Sequence, residues 1–217
     1  MTLAIDFGRA RYNMVEQQIR TWDVLDHRVL DVLHAIPREA FVTAEHQGMA
    51  YADVELPIGH GQRMFKPVIE GRILQAISLQ GAEDILEIGT GSGFFTACLA
   101  MLGGVVHSIE IVPELAAQAQ DRLQQHAPHK TTVEVADVLA AGFKPLRQFD
   151  VIVVGAAFTN LPDWKSWLKP SGRLFAVRGH SPVMEAVLMH ADGHVESLFE
   201  TDLAYLQGAE PVKKFVL

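Results

Sequence analysis

Cysteine is almost absent from this chain. The one thiol, Cys98, can neither close an intramolecular disulfide nor build a cysteine-based zinc site. It sits in the run ACLAML, which reads as an apolar helix, so a buried structural role is expected. Cations are scarce too: 18 Lys and Arg against 26 Asp and Glu give a net charge of -8. Phosphate backbones are gripped by clustered Lys and Arg, so nucleic acid is not expected as a partner. No apolar run is long enough to span a bilayer, and the opening MTLAIDFGRARYN lacks the apolar stretch of a secretory signal. No membrane partner is therefore expected, and the cytoplasm is the expected location. The ten histidines are scattered and read as surface or structural residues, so no metal site is expected. Internal repeats and low-complexity segments are also missing.

What remains is an ordinary globular composition, 49% hydrophobic and 20% charged over 217 residues, enough for one domain with an elaboration. Two textures are visible. Residues 1–78 read as an N-terminal helical cap with a substrate and cofactor loop. Residues 79–217 alternate apolar strands with helices, and the two are expected to form one compact unit. In the first region, residues 9–20 carry few strong apolar residues and read as an exposed or capping helix. Asp26 offers an N-cap for a helix with Val29, Leu30, Leu33 and Ile36 on one face, halted at Pro37. Residues 51–62 (YADVELPIGHGQ) read as a loop, and Pro67 opens a further helix. In the second region, strands are expected at 85–88, 105–109, 132–135, 150–154 and 173–177, with helices at 94–102 and 113–125. A final pair at 183–190 and 195–200 flanks Asp192-Gly193, a hairpin turn signal. This is an α/β pattern of parallel strands ending in an antiparallel pair.

The segment Glu87-Ile-Gly-Thr-Gly-Ser-Gly93 follows a strand and opens a helix. Its glycines permit a tight turn and close approach of backbone to a ligand, and the helix start offers free N–H groups. A dinucleotide fingerprint needs G-x-G-x-x-G, whereas the spacing here is G-x-G-x-G with Glu87 two residues before Gly89. That carboxylate would repel a pyrophosphate and attract the ammonium of S-adenosylmethionine, which also carries a cationic sulfonium. Glu110 closes the next strand, 21 residues after Gly89 (110 − 89), where an acid accepts hydrogen bonds from ribose hydroxyls. Asp137 follows the third strand, the position that reaches an adenine amino group. Singly, each acid reads as a solvated strand-end residue. Three at successive strand ends around one glycine loop point to a cationic nucleoside donor.

Beyond these residues, the chain resembles the protein-L-isoaspartate O-methyltransferases. The resembling stretches are MVEQQIR, IPREAFV, AYADVELPIGHGQ, DILEIGTGSGFFTACLA, FDVIVVGAA and LKPSGRLFAVRG, spanning most of residues 10–180. The glycine loop is common to many methyltransferases, and PREAFV with AYADVELPIGHGQ is far more specific. The resemblance implies a Rossmann-like, seven-stranded, mostly parallel sheet of the S-adenosylmethionine-dependent methyltransferase type with an N-terminal helical addition. It implies that Glu87, Gly89, Gly91, Gly93, Glu110 and Asp137 contact the cofactor, with Thr90, Ser92, Ile111 and Val138 beside them, and that the Gly61-Gln62 loop covers it. The spent cofactor would be S-adenosyl-L-homocysteine, and the acceptor a protein or peptide carboxylate at a damaged site.

The chain departs from the family pattern after Gly61-Gln62. Family members continue Thr-Ile-Ser, with hydroxyls beside the acceptor, and this chain continues Arg63-Met64-Phe65. Methyl transfer from a sulfonium has a good neutral leaving group, and a carboxylate is already ionised at pH 7, so positioning outweighs acid–base help. Arg63 is the candidate for holding a substrate carboxylate, weighed evenly against a solvated loop charge. Phe65 reads as packing that narrows the acceptor site. His60 and Asp53 are weaker substrate candidates, and a turn role suits Asp53 at least as well. Three readings stay open: an isoaspartyl carboxyl methyltransferase, a small-molecule methyltransferase of the same fold, and a non-catalytic S-adenosylmethionine-binding protein. A nicotinamide dehydrogenase is disfavoured by Glu87 and the loop spacing.

Overall fold

The computed structural model describes residues 5–127 and 130–212. The Lys213-Lys214 pair, read from sequence as solvated, lies outside these residues. A seven-stranded sheet organises the chain. Its strands are β3 (Asp84–Ile88), β4 (Val105–Glu110), β5 (Thr131–Val135), β6 (Phe149–Phe158), β7 (Leu168–His180), β8 (Val183–His190) and β9 (Val195–Thr201). The spatial order is β5-β4-β3-β6-β7-β8-β9. The first five are parallel, and β8 and β9 return antiparallel, as the Asp192-Gly193 signal requires. The strand order reverses between β3 and β6, and their carboxyl ends open a crevice there, the natural ligand site of an open α/β sheet. Strand β6 holds Val151 to Val154 fully buried, which explains its unbroken β-branched run.

The helices are α1 (Phe7–Asn13), α2 (His27–Ala35), α3 (Pro67–Ile77), α4 (Phe94–Leu102) and α5 (Pro113–His126). Asp26 caps α2 by accepting the Arg28 N–H at 2.9 Å, and Pro67 takes the first turn of α3. One apolar cluster runs from Met14 and Leu33 through Ile73 and Phe94 to Val177 and Leu203, so the N-terminal helices and the sheet share a core. Among the described residues, no helix is long and apolar enough to cross a membrane.

Three expectations need correction. Residues 9–20 are not an exposed helix: α1 passes into a π-helical turn, Met14–Ile19, whose Met14, Val15 and Ile19 are fully buried. Val15 and Ile19 are i, i+4 with Met14 beside them and so share one face, and the Glu16-Gln17-Gln18 run between them makes the segment read as polar. Residues 51–62 are not all loop, since β1 (Leu56–Gly59) and β2 (Gln62–Met64) form a small antiparallel hairpin. The strands are too short for an alternating pattern to register. Trp164 and Trp167, which after Pro162-Asp163 read from sequence as packing a helix on the sheet, belong to no such helix. A 3-10 turn follows Trp164, and the two rings stack at 4.6 Å against the sheet.

Candidate active site

The turn after β3 is held from within. The Gly89 and Thr90 N–H groups donate to the Ile109 carbonyl at 2.8 and 3.3 Å, and the Gly93 N–H to the Thr90 carbonyl at 3.0 Å. The Gly91 N–H donates to Glu110 at 2.9 Å, and the Phe94 N–H to the Ser92 hydroxyl at 3.2 Å. The turn's own N–H groups are thus mostly engaged, while those of Ser92, Phe95 and Thr96 have no bond to a described residue. Gly93 sits at φ 85° with α5 behind it, where an added Cβ would lie 3.2 Å from the Ala119 Cβ. Across the crevice, a Cβ on Gly155 would lie 3.1 Å from the Gly89 carbonyl, so β6 must pass the turn bare.

Acids line the cleft instead. Glu110 is nearly buried; one oxygen accepts from Gly91 and the other from the Val112 N–H at 3.0 Å. Each oxygen keeps a second lone pair for a ligand hydroxyl. Asp137 accepts the Leu139 N–H at 2.8 Å and stands exposed at the mouth, beside buried Val138. The cleft also takes in Gln62, Arg63, Gly89, Gly91 and Ile111, all predicted from sequence. Sequence reasoning missed Gly155 and Ala156 at the end of β6, and Tyr205 and Leu206 from the last segment. That segment clamps β6 through Ala157 N–H to the Ala204 carbonyl at 2.8 Å and Leu206 N–H to the Ala157 carbonyl at 2.9 Å. It has no periodicity to read. The GAA after the β-branched run was the only cue for the other wall.

A second cavity adjoins the cleft, lined by Arg63, Phe65, Glu70, Glu87, Thr90 and Ser92 among others. Glu87 is buried there, and its Oε2 accepts from the hydroxyls of Thr96 at 2.5 Å and Ser108 at 2.6 Å. Oε1 accepts neither bond. Thr90 bonds Ser108 at 2.6 Å, so three hydroxyls brace one carboxyl. Burial pushes Glu87 up from 4.5 to about 7, against the pull of those hydroxyls. The folded state therefore holds this proton where the unfolded state has lost it. Glu87's share of stability is present below pH 4.5 and is lost as pH rises to about 7, a span of about 3 kcal/mol. We expect Glu87→Gln to flatten that part of the decline, measured by urea unfolding at pH 5 and pH 7.5. An unchanged pH slope would show that Glu87 ionises normally.

Beneath this cavity lies an ion pair that the sequence did not disclose. Arg38, from the PREAF run, is wholly buried and bonds Glu70 of α3. Its Nη2 donates to the Phe65 carbonyl at 2.5 Å, and its guanidinium lies 4.9 Å from the Phe94 ring centroid. Burial raises Glu70 to about 7 even with Arg38 beside it. An outer trench, open to solvent, is lined by Asp53, Glu55, Arg63, Lys66, Asp202 and Tyr205 among others. Asp53 accepts the Val68 N–H at 3.3 Å and so caps α3. Phe65 is half-buried, its ring edge-on to Phe95 at 6.0 Å. Gly61, expected to cover the cofactor, and His60, a candidate for substrate contact, form the exposed hairpin tip. Gly59, His60 and Gly61 all have positive φ, as a tight turn needs, and neither His60 nor Gly61 lines the cleft, second cavity or trench. Gly93 lies behind the turn, also outside these cavities.

A seven-stranded, mostly parallel sheet with a glycine turn and carboxylates at strand ends has the architecture of the S-adenosylmethionine-dependent methyltransferases. The structure superposes on a solved protein-L-isoaspartate O-methyltransferase with a TM-score of 0.76 at 20% identity, over 90% of this chain and 65% of that one. A Plasmodium falciparum chain assigned to the same activity, solved with S-adenosyl-L-homocysteine, gives 0.78 at 17% identity, over 94% and 99%. The family model of protein-L-isoaspartate(D-aspartate) O-methyltransferases matches residues 9–208. A Syntrophobacter fumaroxidans protein-L-isoaspartate O-methyltransferase is 36% identical over 97% of this chain and 98% of its own length. One from Aeropyrum pernix is 41% identical over 77% of this chain and 66% of its own length. The chain belongs to the protein-L-isoaspartate O-methyltransferase family.

Proposed function

We propose that this chain methylates a free carboxylate of L-isoaspartyl residues in damaged proteins and peptides, with S-adenosyl-L-methionine as donor, in the cytoplasm. The observation that carries the donor is the pairing of a turn, whose Gly89, Thr90, Gly91 and Gly93 N–H groups are already engaged, with a carboxylate, Glu110, that keeps spare lone pairs. A pyrophosphate would meet the Glu110 carboxylate, and a ribose finds acceptors. Glu110 holds the ribose hydroxyls, and Asp137 with Val138 and Ile111 frames the base. Glu87, through Oε1, Gln62 and the Gly89–Gly91 backbone border the amino-acid end. Thr90 and Ser92 brace this wall. Gly61 and Gly93 act on the shape of the site and not by contact.

When bound, the donor supplies a methyl group on a cationic sulfur that departs as a neutral thioether. An acceptor carboxylate oxygen forms the new C–O bond as the C–S bond breaks, and no proton has to move. The protein's task is to align the two and shed water, where positioning is worth up to about 7–11 kcal/mol. The acceptor enters by the outer trench past Arg63 and Tyr205, with Phe65 as a packing wall.

The test has two arms. Calorimetry should detect S-adenosyl-L-homocysteine binding and no binding of a nicotinamide dinucleotide. Labelled donor should transfer its methyl group to an isoaspartyl peptide and not to its aspartyl isomer. Transfer to small carboxylic acids alone would favour a small-molecule enzyme, and binding with no transfer to any acceptor a sensor.

A further inference from the structure

Arg63 stands where the three cavities meet. Among the described residues it alone lines the donor cleft, the cavity of buried acids and the outer trench. Its guanidinium is exposed and has no hydrogen bond or ion pair with another described residue. Its backbone is fixed on both sides. Arg63 pairs with Pro57 across the hairpin, buried Met64 points the other way, and Arg38 grips the Phe65 carbonyl. An unpaired cation on a pinned strand is a preformed anion site.

Most of the nearby acids are already engaged; in the cleft Glu110 holds the Gly91 and Val112 N–H groups and Asp137 the Leu139 N–H. Glu70 is taken by Arg38, and Glu87 by Thr96 and Ser108. In the trench, Asp53 holds the Val68 N–H and Asp202 the Ser181 hydroxyl, which leaves Glu55 as the one lining carboxylate with no bond to a described residue. Lys66 adds a second cation to the same wall. The arginine fork binds a carboxylate through both oxygens. A carboxylate held in this way has its charge neutralised and its lone pairs committed, so it attacks poorly. The acid that Arg63 holds is therefore not the one that is methylated.

We propose that Arg63 binds a second carboxylate on the acceptor, and so selects acceptors that carry another acid beside the methylated one. This rests on the isoaspartyl reading above and adds a specificity to it. The second carboxylate has two sources, an adjacent Asp or Glu side chain or the C-terminus of a cleaved chain.

Two matched peptide pairs separate these sources. One pair places Glu or Gln after the isoaspartyl residue. The other ends just after it as a free acid or an amide. In the wild-type protein, kcat/KM should favour the acid member of at least one pair by about tenfold, the scale of one charge-assisted hydrogen bond. In Arg63→Gln that ratio should fall to about one, and Arg63→Lys should keep part of it. The responding pair identifies the source. A ratio of one for both pairs in the wild-type protein overturns the proposal, as does a ratio that survives Arg63→Gln. So does a loss of S-adenosyl-L-homocysteine affinity beyond tenfold in Arg63→Gln with the ratio intact, because Arg63 would then serve the donor. If no peptide is methylated, the isoaspartyl reading fails by itself. Calorimetry of the same pairs against the S-adenosyl-L-homocysteine complex then still reads Arg63: an acid preference lost in Arg63→Gln supports the role, and its absence overturns it.

Discussion

Arg38→Met should cost about 3–5 kcal/mol of stability, the largest single loss expected at any position discussed. The guanidinium is wholly buried and meets three partners at once: the Glu70 carboxyl, the Phe65 carbonyl and the face of Phe94. Removing it strands Glu70 in the core with no counter-charge, and that uncompensated burial, not the loss of the pair itself, sets the cost. The Arg38 Nε has no partner among the described residues, so the pair is imperfectly solvated even when intact. It follows that Arg38→Met with Glu70→Leu should recover more than half of the loss. Recovery should stay incomplete, because the Phe65 carbonyl is still orphaned. Urea denaturation measures both variants. The single change should also lower the melting temperature by about 10 °C, scaled for a chain of this size. Equal losses in the single and double variants would mean that the fork's other contacts, and not the buried charge, hold the region together.

That pair links cap and core to the site. It ties Phe65, a wall of the second cavity, to the turn at residues 38–41 and to α3. The family stretch IPREAFV thus has a physical reason for its arginine. Arg38 fixes the strand exit from which Arg63 is presented, and so acts as a positioning residue.

The sheet was legible because its signals are local and periodic. Apolar runs of strand length, helices between them, the Pro67 start and the Asp192-Gly193 turn each act within a few residues. That Glu110 and Asp137 would line one cleft was legible for the same reason, since both stand at strand ends that converge. Less was legible where the outcome depends on contacts between distant segments. Nothing local to Glu87 announces that Ser108 and Thr96 will bury and brace it. Arg38 reads as a surface charge until α3 brings Glu70 under it, and Tyr205 joins the cleft only because its segment docks on the tip of β6. Met14, Val15 and Ile19 were masked by the polar Glu16-Gln17-Gln18 run between them, and only packing on the rest of the core shows them buried. Gly61 was placed by resemblance, and it stands at the exposed hairpin tip beside Gln62, which does line the cleft.

Glu110→Ala should weaken S-adenosyl-L-homocysteine binding by at least about 100-fold. Two hydrogen bonds from ribose hydroxyls to a charged acceptor are worth about 1.5–3 kcal/mol each, and every 1.4 kcal/mol is a factor of ten. The same carboxylate also holds the glycine turn in shape, through the Gly91 and Val112 N–H groups. Truncation therefore removes the ligand contacts and frees two amides at once, and the turn should loosen. Glu110→Gln separates the two effects. Its amide oxygen still accepts one backbone bond, while its NH2 group faces another donor where the carboxylate accepted. We expect a weakening of about tenfold for Gln, with most of the fold stability retained. Calorimetry on both variants, beside urea unfolding, reads affinity and stability apart. If Glu110→Ala bound the spent donor as well as the parent does, the strand-end acid would be a turn brace and nothing more. The assignment of the cleft would then rest on Asp137 and its neighbours alone.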